Sequence, residues 1–304
     1  MTQGSGKLLI AASGTGGHLF PAVAVAEKLT DFEIELLGVP DRLETTLVPK
    51  QYPMHLISVR GFQGKSISKN LNTVRLLVAS IFTTRKILKK GKFDGVFSTG
   101  GYISAPAILA AYSLGIPVVL HESNALPGKV TRLLSPFCTK VALGFSSAAQ
   151  YLKKAHTIYI GTPVRQQFLQ RQKLDLPIPP DVPVIVVAGG SQGAVALNNL
   201  VRDSASAWLA TGAFVVHLTG DKDPASGSLK HPNYLSLAFC DNMAGLLQRA
   251  TLMISRSGAA TLTELMVCRL PSILIPYPYA AEDHQYINSS LSYSECYNST
   301  FIMI

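Results

Sequence analysis

Four glycine-rich stretches carry residue types and spacings suited to phosphate chemistry. They read Ser-Gly-Thr-Gly-Gly-His at 13–18, Ser-Thr-Gly-Gly-Tyr at 98–102, Gly-Gly-Ser-Gln-Gly-Ala at 189–194 and Ser-Arg-Ser-Gly-Ala-Ala-Thr at 255–261. Glycine lets a backbone approach a ligand closely and take positive φ. Where such a stretch opens a helix, unpaired N–H groups and the positive end of the helix dipole attract phosphate. One loop of this kind is an ordinary strand-to-helix turn; four together point to a ligand bearing a diphosphate.

Two nucleotide-binding fingerprints compete for these loops. A dinucleotide site needs G-x-G-x-x-G/A and an acid about 20 residues on. Gly14, Gly16 and Gly17 are followed by Leu19 where the third small residue belongs, although Glu33 and Glu35 stand near the distance of the ribose acid. That reading stays open on spacing alone, but it does not require a second glycine loop at 189–194. Gly64-Lys65-Ser66 resembles the end of a P-loop, yet Val59 occupies the position of its first glycine, which excludes it.

The loops need elements to hold them. Short apolar runs alternate with helical patterns throughout, predicting strands at 7–12, 33–38, 95–98, 117–120, 140–143 and 157–160. A second set falls at 184–188, 213–218, 234–238, 252–254 and 272–275. Such alternation predicts parallel sheets with helices on both faces. Four prolines between 173 and 183 suit neither a helix nor a strand interior. They mark a linker, placed at 166–183, between domains at 1–165 and 184–304. The expected architecture is α/β, two doubly wound domains with ligands at a cleft where strand C-termini face it.

Composition narrows the class. The 304 residues are 47% hydrophobic and 15% charged, which excludes a disordered chain. Lys plus Arg total 27 against 18 Asp plus Glu, a net charge of +9 that predicts a polyanionic partner: nucleic acid, an anionic membrane or phosphates. The four cysteines form no C-x-x-C pair, which disfavours a zinc ribbon and fits a reducing compartment. The opening residues are too short in apolar run for an export signal, so a cytosolic protein touching a membrane is expected. The uncharged stretch 95–120 is broken by Gly100, Gly101, Pro106, Gly115 and Pro117, and reads as strand, turn, helix and strand rather than a membrane span.

Longer motifs extend these loops in order: GTGGHLFPAVAVAEKL at 14–29, STGGYISAPAILAA at 98–111, HESNALPG at 121–128, GTPVR at 161–165, GGSQGA, and SRSGAATLTEL…PSILIPYP…DHQYIN at 255–288. Together the chain resembles the MurG family of bacterial N-acetylglucosaminyltransferases over nearly all of residues 5–288. The resemblance implies a GT-B fold, two Rossmann-like domains, the first for a lipid-linked acceptor and the second for the nucleotide sugar. It implies inverting transfer of N-acetylglucosamine from UDP-N-acetylglucosamine to undecaprenyl-diphosphate-linked N-acetylmuramyl-pentapeptide (lipid I), making lipid II for peptidoglycan. It assigns no metal and no cofactor beyond the substrate. Two alternatives are a nucleotide-sugar-binding protein with little turnover, or a related GT-B transferase with another acceptor.

The resemblance also carries roles onto residues. Thr15, Gly16 and Gly17 would cradle the acceptor diphosphate or approach the donor sugar, with Gly14, Gly100, Gly101 and Tyr102 on the acceptor diphosphate. His18 is a candidate general base, with a helix cap or phosphate donor as the plainer role. Glu122 is a second candidate base, or else a helix-start carboxylate. Asn124 would touch sugar or acceptor, although the family more often has Gln where Ser123 stands. Arg165 would grip the donor diphosphate with its planar fork. Ser191 would bind phosphate and stabilise departing UDP. Cys240 would meet uracil through its backbone. Ala259, Ala260 and Thr261 would lie against the nucleotide, Glu264 would accept from the ribose hydroxyls, and Gln285 would read the hexose, oriented by Asp283 and His284. Asp221-Lys222-Asp223 is read as a solvated loop rather than a metal-binding D-x-D.

Charge and pattern suggest how the chain meets a lipid. No acidic residue occurs from 45 to 93, where Lys50, Arg60, Lys65, Lys69, Arg75, Arg85, Lys86, Lys89, Lys90 and Lys92 gather. Leu71, Val74, Leu77, Val78, Ile81 and Phe82 recur there at helical spacing. An apolar stripe rimmed by basic residues can lie on an anionic leaflet, with part of the stripe expected to pack on the sheet. The expected place is the cytoplasmic side of the inner membrane, peripherally attached; no nucleic-acid motif is present. The last sixteen residues match nothing in the family pattern, so the second domain is expected to be incomplete, less stable and weakly active. Asn288 and Asn298 open glycosylation sequons that a cytosolic bacterial protein would leave unused.

Overall fold

The structure, a computed structural model, describes residues 6–40, 42, 44, 48–61, 67–190, 193–295 and 301–303. It divides into two compact units, Met1–Arg165 and Gln166–Ile304.

Unit 1 begins with β1 (Lys7–Ala11), α1 (Gly16–Lys28), β2 (Glu33–Gly38), β3 (Met54–Leu56) and the long α2 (Ile67–Gly91). It continues through β4 (Gly95–Ser98), α3 (Ser104–Tyr112), β5 (Val118–Glu122), α4 (Lys129–Leu134), β6 (Lys140–Leu143) and β7 (Thr157–Tyr159). The seven strands are all parallel in the order β3-β2-β1-β4-β5-β6-β7. A parallel sheet is covered on both faces, so its strands read as continuous apolar runs. β1 illustrates this. Leu9 joins the cluster containing Leu88, Ile103 and Ile108 from α2 and the segment leading through α3. Its neighbour Ile10 turns the other way, to Leu19, Ala22 and Val23 of α1. Short β3, absent from the sequence reading, is a three-residue edge strand too brief to leave a pattern.

Unit 2 contains β8 (Val184–Ala188), α5 (Val195–Ala210), β9 (Phe214–Leu218), β10 (Tyr234–Leu237), α6 (Met243–Arg249) and β11 (Leu252–Ser255). It ends with α7 (Ala259–Cys268), β12 (Ser272–Leu274), α8 (His284–Glu295) and β13 (Phe301–Met303). Its sheet is again parallel, ordered β10-β9-β8-β11-β12-β13. Within the tail without a recognisable pattern, residues 301–303 form β13, which pairs with β12, Ser272 opposite Phe301, and Phe301 is buried.

Residues 166–183, expected as a proline-rich linker, group with unit 2. Proline removes N–H donors but keeps its carbonyl, and α6 exploits those carbonyls. Arg249 donates to the carbonyls of Pro179, Pro180 and Val182 at 2.8, 2.7 and 3.0 Å. Asn242, which caps α6 by accepting from Gly245 N, donates to Lys173 O at 2.8 Å. Asn288 of the first sequon is fully buried and donates to Ser257 O, out of reach of modification. The second sequon at Asn298 and the residues Gly64, Lys65 and Ser66 lie outside the described residues. Among the described residues, no helix is long and apolar enough to cross a membrane.

Candidate functional site

Chain order reverses once in each sheet, between β1 and β4 in unit 1 and between β8 and β11 in unit 2. In open parallel sheets such a switch point leaves a crevice at the strand C-termini, where ligands bind. All four glycine-rich loops leave these four strands.

In unit 1, Thr15 stands at the cap of α1 with no side-chain hydrogen bond to the helix, and Gly16 and Gly17 form its first turn without an acidic residue. The amides at this end are thus open to an anion. Gly14 takes φ +105°, and its N–H donates to Glu44 Oε2 at 3.3 Å, while Glu44 Oε1 accepts from Val39 N at 2.9 Å. Buried Glu44 braces the loop from below, a role the sequence did not disclose because the residue sits in no motif.

His18 lies one turn into α1, and its Nδ1 is 2.6 Å from the main-chain oxygen of Thr99. A carbonyl only accepts, so Nδ1 carries a proton, and Nε2 is the ring nitrogen that can accept in the tautomer this bond selects. The ring rests against Gly100 and Gly101. A Cβ at Gly100 would stand 3.3 Å from His18 Cε1, and one at Gly101 3.7 Å from Nε2. Both glycines have positive φ, +92° and +77°. Beside them, the buried hydroxyl of Thr99 makes no hydrogen bond within the described residues. Tyr102 is half exposed, with its ring over Gly61.

The 121–128 stretch is organised by Glu122. Its Oε1 accepts from Asn124 N and Nδ2 at 3.0 and 3.1 Å, and its Oε2 accepts from Gly128 N at 3.1 Å. His121, buried and held neutral by desolvation, donates from Nε2 to Gly161 O at 3.0 Å and accepts at Nδ1 from Ser123 Oγ. That bond anchors the segment carrying Arg165. Arg165 stacks its guanidinium 3.9 Å above the ring of Phe20, one turn beyond Gly16 and Gly17 on α1. The structure thus brings Arg165 to the helix that carries His18, through an aromatic residue no motif singled out.

In unit 2, Gly193 takes φ +74°, and a Cβ there would lie 2.4 Å from Thr219 O, so only glycine fits. Ser191 lies outside the described residues. Helix α5 opens directly after this loop, again with no acid in its first turn and no side-chain cap. Helix α7 opens at Ala259 and Ala260 in the same way, capped by Gly258. Ala260 and Glu264 share a face at i, i+4, with Thr261 three residues before Glu264; Glu264 is buried. Gln285 accepts at Oε1 from Tyr277 N at 3.0 Å, and its own carbonyl takes the Ser257 hydroxyl at 2.8 Å. Tyr277 therefore fixes the amide, while His284 Nδ1 bonds to Ala281 O and Asp283 holds a left-handed turn at φ +53°. Cys240 is half-buried just ahead of α6, and burial raises its thiol pKa.

The Asp221-Lys222-Asp223 segment is not wholly solvated. Asp221 and Lys222 are exposed, but Asp223 is buried and paired with Arg202, whose Nη1 is 2.7 Å from Oδ2. Arg202 holds the Asp223 carboxyl below its usual pKa. Asp223 also accepts from Asn198 Nδ2 at 2.8 Å, and Asn198 Oδ1 meets His217 Nε2 at 3.0 Å. Among the described residues no group of three His, Cys, Asp or Glu is placed to hold a metal ion. His217 is fully enclosed, and burial, with the Arg202 charge, lowers its pKa to about 4, Asp223 opposing. The folded state then binds fewer protons than the unfolded chain, whose histidine titrates near 6.5. This contribution to stability is whole above pH ~6.5 and is lost as pH falls toward ~4, by up to about 1.4 kcal/mol per pH unit. Urea midpoints measured from pH 7 to 4 should show this slope, and His217→Gln should flatten it.

Comparison with known proteins agrees with this geometry. Residues 8–143 match the glycosyltransferase family 28 N-terminal domain and residues 184–291 match its C-terminal domain. The UDP-N-acetylglucosamine--N-acetylmuramyl-(pentapeptide) pyrophosphoryl-undecaprenol N-acetylglucosamine transferase of Nostoc sp. is 64% identical over 289 residues, covering 94% of this chain and 81% of that protein. The chain belongs to the MurG family of family 28 glycosyltransferases. The like-named family member of Trichodesmium erythraeum is 61% identical over 285 residues, covering 94% of this chain and 76% of that protein. The crystal structure of Acinetobacter baumannii MurG superimposes with a TM-score of 0.71 at 27% identity, covering 98% of this chain and 86% of that one. The fold is GT-B, and a kitacinnamycin glycosyltransferase shares it at a TM-score of 0.72 and only 14% identity.

Proposed function

We infer that this chain transfers N-acetylglucosamine from UDP-N-acetylglucosamine to lipid I, with inversion at the sugar carbon, giving lipid II for peptidoglycan synthesis. The observation that carries this reading is the 64% identity to a transferase so named, over 94% of the chain. His18 is the base: its Nε2 takes the proton of the acceptor hydroxyl as that oxygen forms a bond to the anomeric carbon. The bond to UDP breaks, and the electron pair leaves on the diphosphate. Both carboxylate oxygens of Glu122 are occupied by loop N–H groups, which suits loop bracing better than proton transfer.

Ser191 and the open amides of α5 and α7 stabilise the leaving diphosphate with fixed dipoles, so no metal or cofactor is required; Arg165 is assigned to the donor diphosphate for its planar fork. Glu264 accepts from the ribose hydroxyls, Ala259, Ala260 and Thr261 border the nucleotide, Cys240 meets uracil through its backbone, and Gln285 and Asn124 read the sugars. Gly14, Gly100, Gly101 and Tyr102 receive the acceptor diphosphate, with the Thr99 hydroxyl, which has no partner among the described residues, a further donor, and Thr15, Gly16 and Gly17 cradle that diphosphate or approach the donor sugar. The enzyme works at the cytoplasmic face of the membrane, docked through α2.

Incubation with labelled UDP-N-acetylglucosamine and a lipid I analogue tests the reading. UDP release that depends on the acceptor is expected. Tight UDP binding with no release would instead leave a nucleotide-sugar-binding protein.

A further inference from the structure

Unit 2 holds a chain of hydrogen-bonded polar side chains, buried at its centre, that the transfer chemistry does not use. It starts at Tyr234 on β10, whose hydroxyl is 2.6 Å from His217 Nδ1. His217, neutral because burial disfavours its charge, accepts there and donates from Nε2 to Asn198 Oδ1 at 3.0 Å. That donation decides which end of the Asn198 amide faces the histidine. Asn198 Nδ2 must then point away, and its two protons go to Thr219 O and Asp223 Oδ2, both at 2.8 Å. Asp223 closes the chain on Arg202, at 2.7 and 3.2 Å, and accepts from Ala225 N at 3.1 Å. His217, Asn198 and Asp223 are all buried, and each polar atom of the Asn198 amide is used.

The geometry places this chain against Gly193 and the start of α5. Asn198 sits in the first turn of α5, and its main-chain N–H donates to Ala194 O at 2.8 Å, making the first bond of the helix beyond the loop. Thr219 O, held by the Asn198 side chain, is the atom against which Gly193 packs, with room for no Cβ. One side chain therefore ties the α5 N-terminus to the carbonyl against which Gly193 packs.

We propose that His217, Asn198, Asp223 and Arg202 are positioning residues for Gly193 and the N-terminus of α5, setting the direction of the α5 amides toward the diphosphate of the donor nucleotide. The chain acts on donor affinity and not on the acceptor or the proton transfer. This rests on the transfer reading above, in that the loop is taken to hold UDP.

The test uses the full chain, initial rates with UDP-N-acetylglucosamine and a lipid I analogue, and UDP binding by calorimetry. His217→Leu removes the Nε2–H donor and lets the Asn198 amide turn over. It is expected to raise the donor KM and the UDP Kd about tenfold or more and, because the same amides meet the departing diphosphate, to lower kcat as well, with the acceptor KM within about threefold of wild type. His217→Gln, whose side-chain nitrogen can stand near the former Nε2, is expected to restore UDP affinity to within about threefold. Arg202→Gln perturbs the chain from its other end and should move donor KM in the same direction, which keeps the test available should the leucine variant not fold. Unchanged UDP affinity in a folded His217→Leu or Arg202→Gln variant would overturn the proposal, as would equal rises in donor and acceptor KM. Wild-type protein that binds UDP without turnover would refute the transfer reading and leave the affinity comparison intact.

Discussion

Replacing His18 by alanine is expected to lower kcat by about 10²–10⁴-fold, the range for loss of a positioned base, with UDP affinity nearly unchanged. The expectation follows from the hydrogen bond to Thr99 O, which sets the tautomer and leaves Nε2 free to accept. Two further variants separate this from a structural effect. Gly100→Ala keeps the imidazole but puts a methyl about 3.3 Å from Cε1, on a backbone at φ +92°. It should misplace the ring and cost roughly tenfold or more in kcat. Glu122→Gln replaces one of two oxygens that together accept from three N–H donors, so its main effect should be a loss of about 1–3 kcal/mol of stability, read as a lower melting temperature. If Glu122→Gln instead abolished turnover at unchanged stability, and His18→Ala did not, the two residues would exchange roles.

The site was legible to the extent that its chemistry is carried by the backbone. Glycine pairs after apolar runs announce helix starts with open amides, and the structure puts all four such loops at the strands flanking the two switch points. What spacing could not disclose are the groups that hold these loops from behind. Glu44 reaches Gly14 across 30 residues of sequence, Phe20 meets Arg165 across a far longer span, and Asp223 looked like part of a polar turn until Asn198 and Arg202 enclosed it. Such contacts are set by topology and have no period in sequence.

The fold shows the same division. Runs such as Lys7–Ala11 and Val184–Ala188 were readable because strands buried on both faces need unbroken apolar residues. β3 and β13 have three residues each and lie at sheet edges, where half the backbone is unpaired and side chains need not be apolar. β13 has one buried anchor, Phe301, with Ile302 and Met303 largely exposed. The proline-rich 173–183 stretch misled for a related reason. Proline density predicts irregular backbone correctly, but irregular backbone is not free backbone when an arginine and an asparagine collect its carbonyls.

Exchanging Leu71 and Phe82 together for glutamate is expected to weaken binding to vesicles of anionic phospholipid by about 100-fold or more. Along α2 the apolar stripe divides. Leu77, Ile81, Ile87 and Leu88 turn to the core of unit 1, whereas Leu71, Val74, Val78 and Phe82 face outward, Leu71 and Phe82 each 67% exposed. These four recur on one helix face, and Arg75, Lys86, Lys89 and Lys90 are exposed on the same helix. A large apolar side chain moved out of water contributes about 1.5–3 kcal/mol, so losing two removes roughly 3–6 kcal/mol before any repulsion is counted. Each basic residue near an anionic surface adds about 1 kcal/mol, falling off within a Debye length. The apolar and ionic parts therefore separate by experiment. Raising salt should weaken wild-type binding without abolishing it, and vesicles of neutral lipid should retain the apolar share. Turnover of a soluble acceptor analogue should be unchanged in the double variant, because α2 contributes no residue to the His18 loop. Equal co-sedimentation of variant and wild type with anionic vesicles would show that another face of the protein meets the lipid.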